Sequence, residues 1–529
     1  MALQKRKQSR SVSTAHANFM GGNSWDINDP FLRLQVAATS CFFGEPAYYV
    51  EGDAPAKRAD PVSRLSEQQR KYLHDTLNAM DPQEWRGKTT RQLMESAIDA
   101  ALNVDIERTL KFAVELRNLW HMRATPQVIM VRAALHPKSA DTGLIAKYAA
   151  LIMTRLDEVM NQMAYFESIQ GTLKRIPSRL KRAWAARLSQ ANDYELAKYK
   201  LNTREVNIYD AVRMTHPSSE GIDRLIAGEI SLSNDKTRTW ESIRSNGGSW
   251  EEAAEVMGHM ALLRNLRNLA ESKVLNDRLL EKLKAGVVDG KQLPFRYYSA
   301  YRAVQEVAKG KVLDALEECL EISLRNAPHF VGRTMSLADN SGSAWGAVTS
   351  SMGTMPVASI GNLMGVITGR LSDDGYLGIF GDNLETFAIR NKSSIFDQVQ
   401  KAEKIGQGIG GNTENGIWLF WANAIKEKQH WDNVFVYSDM QAGHGGLYGV
   451  DPRGYKEYAW ERGRYIDVPK LVNAYRREVN PNVNVFLVQI AGHQDTIIPE
   501  FYDRTYILGG WSDRLLNFAE QLANIRKGQ

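Results

Sequence analysis

Asp339, Ser341 and Ser343 occupy alternate positions of one five-residue stretch, Asp339-Asn340-Ser341-Gly342-Ser343. A carboxylate and two hydroxyls spaced this way on a loop bring three hard oxygens toward one point. Such a donor set suits Mg2+ or another hard divalent cation, which takes oxygen ligands and keeps several waters. The plain alternative is structural, because Asp and Ser crowd strand-to-helix loops as turn and N-cap residues. Two further oxygen donors bear on the choice. Thr413 closes a Gly-rich loop, Gly410-Gly411-Asn412-Thr413, and Asp439 follows Ser438 at the end of an apolar run. Asp439 alone would pass for a helix cap.

These residues need elements to hold them. Residues 335–338 predict a strand that runs into the Asp339 loop, and 344–370 is a helix-length stretch. Residues 375–381 and 385–389 predict two short strands, 417–426 a helix, 431–437 and 483–491 further strands, and 515–525 a closing amphipathic helix. Strands alternating with helices predict a parallel, doubly wound α/β sheet. Ligands of such sheets sit beyond the carboxyl ends of the strands. Asp339, Ser341, Ser343, Thr413 and Asp439 all fall at such ends or in the loops that follow. Together they resemble the metal-ion-dependent adhesion site of von Willebrand A domains, a D-x-S-x-S loop with a distant Thr and a distant Asp.

The chain before this region is helical in pattern. Residues 90–102, 106–119, 125–135, 143–164, 208–213, 221–227, 250–269 and 292–307 each carry apolar side chains at three- and four-residue spacing. Short turns with Pro or Gly separate them, such as Thr125-Pro126, His136-Pro137 and His216-Pro217. Many helices with short links predict an α-solenoid of paired helices, although no fixed-period repeat is visible.

Charge is distributed unevenly. Residues 1–332 hold 47 Lys and Arg against 40 Asp and Glu, whereas 333–529 hold 19 against 21. Within 111–204 there are 16 basic and 7 acidic side chains. Lys174, Arg175, Arg179, Lys181, Arg182 and Arg187 occur in a stretch without any acid, and Lys198, Lys200 and Arg204 continue it. Arg175, Arg179 and Arg182 are spaced for one helical face, with Pro177 marking a helix start. A single cationic run is usually a solvated helix face. A block this dense costs stability unless an anion answers it, which points to a polyanion partner.

The global numbers exclude several classes. A chain of 529 residues exceeds what one core usually supports, so two or more domains are expected: a disordered basic tail over 1–20, a helical domain over 21–332 and an A-like domain over 333–529. No apolar run approaches the length of a membrane span. The first residues are basic and polar rather than signal-like, and two cysteines without metal-ligand spacing fit a reducing cytoplasm. No P-loop, G-x-S-x-G, H-E-x-x-H or placed cysteine nucleophile is present, so no enzyme is expected. Asp382 is the one spare acid near the sheet top.

At this point the chain resembles the TROVE-module Ro ribonucleoproteins, the Ro autoantigen of animals and its bacterial counterparts. The stretches that carry the likeness run in order from Gly21-Gly22-Asn23-Ser24-Trp25, through Phe31-Leu32-Arg33-Leu34 and Tyr48-Tyr49, to Gly87-Lys88-Thr89-Thr90. They continue with Arg213-Met214-Thr215-His216-Pro217, Ala261-Leu262-Leu263-Arg264-Asn265-Leu266, Leu293-Pro294-Phe295-Arg296 and the metal-site loop. The resemblance implies a ring of HEAT-like helical repeats closed by the A domain, acting as a monomer. It further implies small noncoding Y-like RNA on an outer basic surface, single-stranded ends of misfolded RNA in a central hole, and work with an exoribonuclease in RNA quality control. The Asn between the glycines and Thr413 departs from animal members, which pass directly from Gly to Thr. Residues 444–465 look like an insertion, a candidate partner-binding loop.

On this likeness His216, Arg264 and Arg267 join the candidate RNA contacts, although a turn role for His216 and a pair between Arg267 and Glu271 are the plainer readings. Trp120 and Trp184 could stack on bases, but core packing is the expected job of both. The rival from another class is an adhesion- or chelatase-like scaffold gripping an acidic partner through the metal. Such a scaffold has no use for the cationic block.

Overall fold

The computed structural model describes residues 15–17, 23–40, 90–200, 206–230, 239–290, 292, 294–325, 327–346, 355–411, 414–440, 459–460, 465–466, 468–490, 495–496, 504–510 and 513–524. The chain divides into two compact units. One is built on residues 98–326, and the other joins residues 327–529 to N-terminal segments of the chain.

The second unit begins with β1 (Ala15–Ala17) and β2 (Asn23–Asp26), which pair antiparallel. Ala15–Ala17, expected within a disordered tail, are therefore ordered by the ladder they form with β2, and the rest of 1–20 lies outside the described residues. The helix Pro30–Ser40 follows. The main strands are β3 (Phe330–Asp339), β4 (Ser372–Phe380), β5 (Leu384–Ala388) and β6 (Asn433–Ser438). After β7 (Ala459–Trp460) and β8 (Tyr465–Ile466) come β9 (Asn484–Gln489), β10 (Asp495–Thr496) and β11 (Thr505–Gly509).

Six of these form one sheet in the order β11-β9-β6-β3-β4-β5. All neighbours are parallel except β4 and β5. The expected parallel sheet thus carries one antiparallel edge strand. Its cause is local: Gly381, Asp382 and Asn383 alone join β4 to β5, and so short a link only permits a hairpin.

Both faces of the sheet are covered, which explains why β6 and β9 are buried at every position and β3 over its last six residues. Successive side chains point to opposite faces. Met335, Leu337, Val434, Val436, Val485 and Leu487 join a core with Trp418, Trp421, Leu471 and Tyr475 of the helices Glu414–Lys426 and Val468–Glu478. On the other face the helix Val357–Arg370 lies against β3, β4 and β6. It approaches closely because Gly361 and Gly365 leave room for Tyr437 and Leu377. The rings of Phe435, Phe486 and Tyr506 stack in a row across β6, β9 and β11.

The first unit is helical throughout its described residues. Ile106–Asn118, Thr125–Leu135, Leu144–Ile152, Asp157–Gln170 and Ser178–Ser189 pack on next or next-but-one neighbours, as helical repeats do. Asn207 with Asp210 and Ser249 with Glu252 form capping boxes that start later helices. Two expected helices are each broken in two. Residues 143–164 divide into Leu144–Ile152 and Asp157–Gln170, and 250–269 into Trp250–Val256 and His259–Glu271. At the first break, buried Asp157 and Glu158 occupy the new first turn and meet Arg123, Arg155 and Arg117. At the second, Met257 is extended and Gly258 is the N-cap.

Candidate functional site

At the carboxyl edge of the large sheet, β3 delivers Asp339 and the adjacent β6 delivers Ser438 and then Asp439. Asp339 is 1 % exposed and Asp439 0 %. The Asp339 carboxylate accepts the Ser438 hydroxyl at 2.6 Å and the Ser341 backbone N–H at 2.9 Å. The second contact is an Asx-type turn that aims the loop. It leaves the Ser341 and Ser343 hydroxyls 3.1 Å apart on the same side. Burial pushes the Asp339 carboxyl above the usual carboxylate range, opposed only by neutral donors from Ser438 and Ser341. Gln489 on β9 donates to the Asp439 backbone carbonyl at 3.0 Å and fixes that turn.

The loop around Gly410 joins the same edge. Gly342 donates its N–H to the Gly411 carbonyl at 3.0 Å, so the Gly-rich loop is hydrogen-bonded to the Asp339 loop. Gly410 has φ of +97°, and Asp382 lies where a side chain on Gly410 would stand. Thr413 itself, three residues after Gly410, lies outside the described residues, as does most of 444–465.

Two buried carboxylates lie at adjacent strand ends, and Asp339 is bonded to the Ser438 hydroxyl and meets no cationic side chain among the described residues, so both are donors that a hard divalent cation would accept. Among the described residues there is no cluster of three or more His, Cys, Asp and Glu side chains with metal-holding geometry, so any ion here would lean on hydroxyls and water. Asn340 is a supporting residue that sequence reasoning passed over. Its buried amide pairs reciprocally with Asn362 at 2.9 and 3.0 Å, tying the loop to the helix beneath. The signal was an Asn in the middle of the apolar run 357–369.

The cationic candidates separate into two groups. Arg179 donates to the Ala134 carbonyl at 2.6 Å, at the carboxyl end of Thr125–Leu135, where a cation is favoured. Arg187 pairs with Glu195, and Arg267 with Glu271 at 2.9 Å. Lys174, Arg175 and Arg182 are exposed, Lys181 is half-buried, and none of their side chains has an ion-pair partner among the described residues. Exposed Arg264 is likewise without one.

Arg175 does not share a helical face with Arg179 and Arg182. It precedes the helix, which Pro177 caps, and has a left-handed φ of +60°. Lys198 lies 5.7 Å from the ring of Tyr194, an exposed aromatic that the charge pattern hid. His216 is the exposed left-handed C-cap of Ile208–Thr215, a structural job that leaves its ring at the surface. Arg204 and the side chain of Lys200 lie outside the described residues. Trp184 is fully buried and donates to Gln162 at 2.7 Å, and Trp120 is also buried, so neither is a base platform.

The class defined by these elements is a unit of helical repeats joined to an A-type doubly wound sheet with oxygen donors at its carboxyl edge. Among solved structures the chain is similar to the crystal structure of the Deinococcus radiodurans Ro (RSR) protein, with a TM-score of 0.53 and 17 % identity. The match covers 80 % of this chain and 92 % of that one, and at this identity the likeness is one of fold. The Ro-like architecture expected from the sequence is therefore the architecture found. No family model and no curated protein matches the chain. Among the described residues no helix is long and apolar enough to cross a membrane.

Proposed function

We propose that the chain is an RNA-binding protein of the Ro kind, a non-enzymatic cytoplasmic ribonucleoprotein component. In this reading it holds a small, structured, Y-like RNA on the basic face of the helical unit. Single-stranded ends of misfolded RNA engage a different surface, which includes Arg264, and an exoribonuclease partner acts on what is presented. The observation that carries the reading is the set Lys174, Arg175, Lys181 and Arg182, cations with no ion pair among the described residues. A folded chain keeps so many unanswered like charges close together at a cost, which an anionic partner offsets. Phosphate contacts of this type position RNA without reading its sequence.

The decisive measurement is a gel shift with a structured small RNA across a salt series. Lys174→Glu, Arg175→Glu and Arg182→Glu together leave the packed carbonyl bond of Arg179 intact. They are expected to abolish tight binding. Neutralising one phosphate-binding cation at a time should lower the salt slope by about one for each. Unchanged binding overturns the proposal.

For the sheet-bearing unit we propose one Mg2+ or similar divalent ion held by Asp339, Ser341, Ser343, Thr413 and Asp439, directly or through water. The ion would supply an open coordination position for an acidic group of a protein partner. The buried carboxylates of Asp339 and Asp439 favour this second reading, a metal-dependent interaction scaffold, and it is compatible with the first.

A further inference from the structure

The helices Leu144–Ile152 and Ser178–Ser189 pack side by side yet leave a cleft of about 640 Å³ between them. Its floor explains the gap. Ala146, Ala149 and Ala150 of one helix and Ala183 and Ala186 of the other line it beside Ile145 and Met153, and side chains so short leave space unfilled. The wall carries the opposite character, because Arg179 and Arg182 line the same cleft. Arg179 is tethered through Nε to the Ala134 carbonyl, which restrains its guanidinium. Arg182 is exposed and has no ion pair among the described residues. The third arginine there, Arg187, is already answered by Glu195.

We propose that this cleft takes one nucleotide unit, with its base against the alanine floor and its phosphate at Arg179 and Arg182. The inference rests on the RNA-binding reading and adds to it a built pocket that shares Arg182 with the open cationic surface. The volume lies within the range of small-ligand sites. An alanine-lined apolar surface suits a planar ring, and guanidinium forks suit phosphate oxygens. The exposed side chains of Asp141 and Gln190 in the lining offer both acceptors and donors to a base edge. The first turn of Ser178–Ser189 lines the same end, so the positive pole of that helix adds to the attraction. A purely apolar ligand would strand the arginines, and a small anion would leave the floor wet.

The test uses a short fluorescent single-stranded oligouridylate, free UMP and the full-length protein, every form of it carrying Arg264→Ala to remove the separate surface proposed for single-stranded ends. Ala186→Phe fills the cleft from an exposed position, and Ala150→Phe does so from the other wall, so a folding defect in one is checked by the other. Arg182→Gln removes the phosphate partner, Arg182→Lys keeps the charge, and Lys174→Gln reports on surface charge outside the cleft. Either phenylalanine variant and Arg182→Gln should each weaken the oligonucleotide about tenfold, and Lys174→Gln distinctly less. Wild-type affinity in both phenylalanine variants, with melting temperatures unchanged, overturns the cleft. A melting shift with UMP that the phenylalanine variants lose assigns the cleft to free nucleotides as well, whereas no shift restricts it to polymer. Should the wild type bind neither structured nor single-stranded RNA, the proposed function falls. The cleft then stands only if UMP still binds and the phenylalanine variants abolish that binding.

Discussion

Residue type alone does not fix a residue's job in this chain. Arg179 and Arg182 sit one turn apart on one helix, yet the first is tied to a backbone carbonyl and the second is open to solvent. The sequence displayed both as members of one cationic run and could not tell them apart, because the partner of Arg179 lies at the end of another helix. Asp339 was better marked, since its loop announces three oxygens at once. Its burial beneath Ser438 was not legible, for it depends on the pairing of two strands nearly a hundred residues apart. A buried carboxylate with only neutral donors is a cost to the ion-free fold. Asp339→Asn is therefore expected to stabilise the ion-free protein by on the order of 1 kcal/mol, read from denaturant midpoints. At a Mg2+ concentration about a hundredfold above its dissociation constant the wild type should gain about 3 kcal/mol, and the Asn variant nothing. Equal ion-dependent gains in both proteins would remove the metal from this site.

Among the elements, the helices named from spacing were legible in kind and often to within two residues, because amphipathic spacing records which face packs, but Asp277–Ala285 and Lys311–Ser323 were not among them. Their breaks were not. The gap between Leu144–Ile152 and Asp157–Gln170 is set by Asp157 and Glu158 finding Arg117, Arg123 and Arg155 in three dimensions. Nothing in local periodicity carries that information. The edge strand β5 is the reverse case: its three-residue link to β4 was in plain view, and only a general preference for parallel order concealed it.

His259 shows how one residue can hold several elements together. Its Nδ1 donates to the Leu283 carbonyl and its Nε2 accepts the Tyr297 hydroxyl, each at 2.9 Å, which joins His259–Glu271 to the helices Asp277–Ala285 and Pro294–Val304. Burial lowers its pKa, so the unfolded chain takes up a proton before the folded one does. Stability from this group is complete above the ordinary histidine value of about 6.5 and declines as pH falls from there toward the lower folded pKa. Thermal melts of the wild type should therefore drop through that window. His259→Gln should melt lower at neutral pH and show a flatter profile. A parallel profile in the two proteins would place the acid sensitivity elsewhere.

At the scale of the whole molecule, the sheet-bearing unit is assembled from both ends of the chain. Asp26 and Trp25 of β2 pair with Asp495 and Thr496 of β10. Val36 and Thr39 of the helix Pro30–Ser40 press on Gly509 of β11, where any side chain would collide. Because β11 is an outer strand of the sheet, that helix covers apolar surface at a vulnerable place. A fragment of residues 327–529 is expected to self-associate as its concentration rises, by light scattering, and a version with residues 15–40 fused back should be monomeric. A fragment that stays monomeric without them would show that the N-terminal segment is dispensable for the sheet.

The same arrangement sets a timetable for the growing chain. A ribosome releases Pro30–Ser40 well before the strand it covers, so the whole helical unit emerges while that helix still has no partner. Domains generally fold as they are completed, and exposed apolar surface during that wait invites aggregation. The helical unit is free to close during translation, whereas the sheet-bearing unit can be finished only after β11 has emerged. Mutations that slow its closure would show themselves first as poor yield from the cell, before any loss of stability in the purified protein.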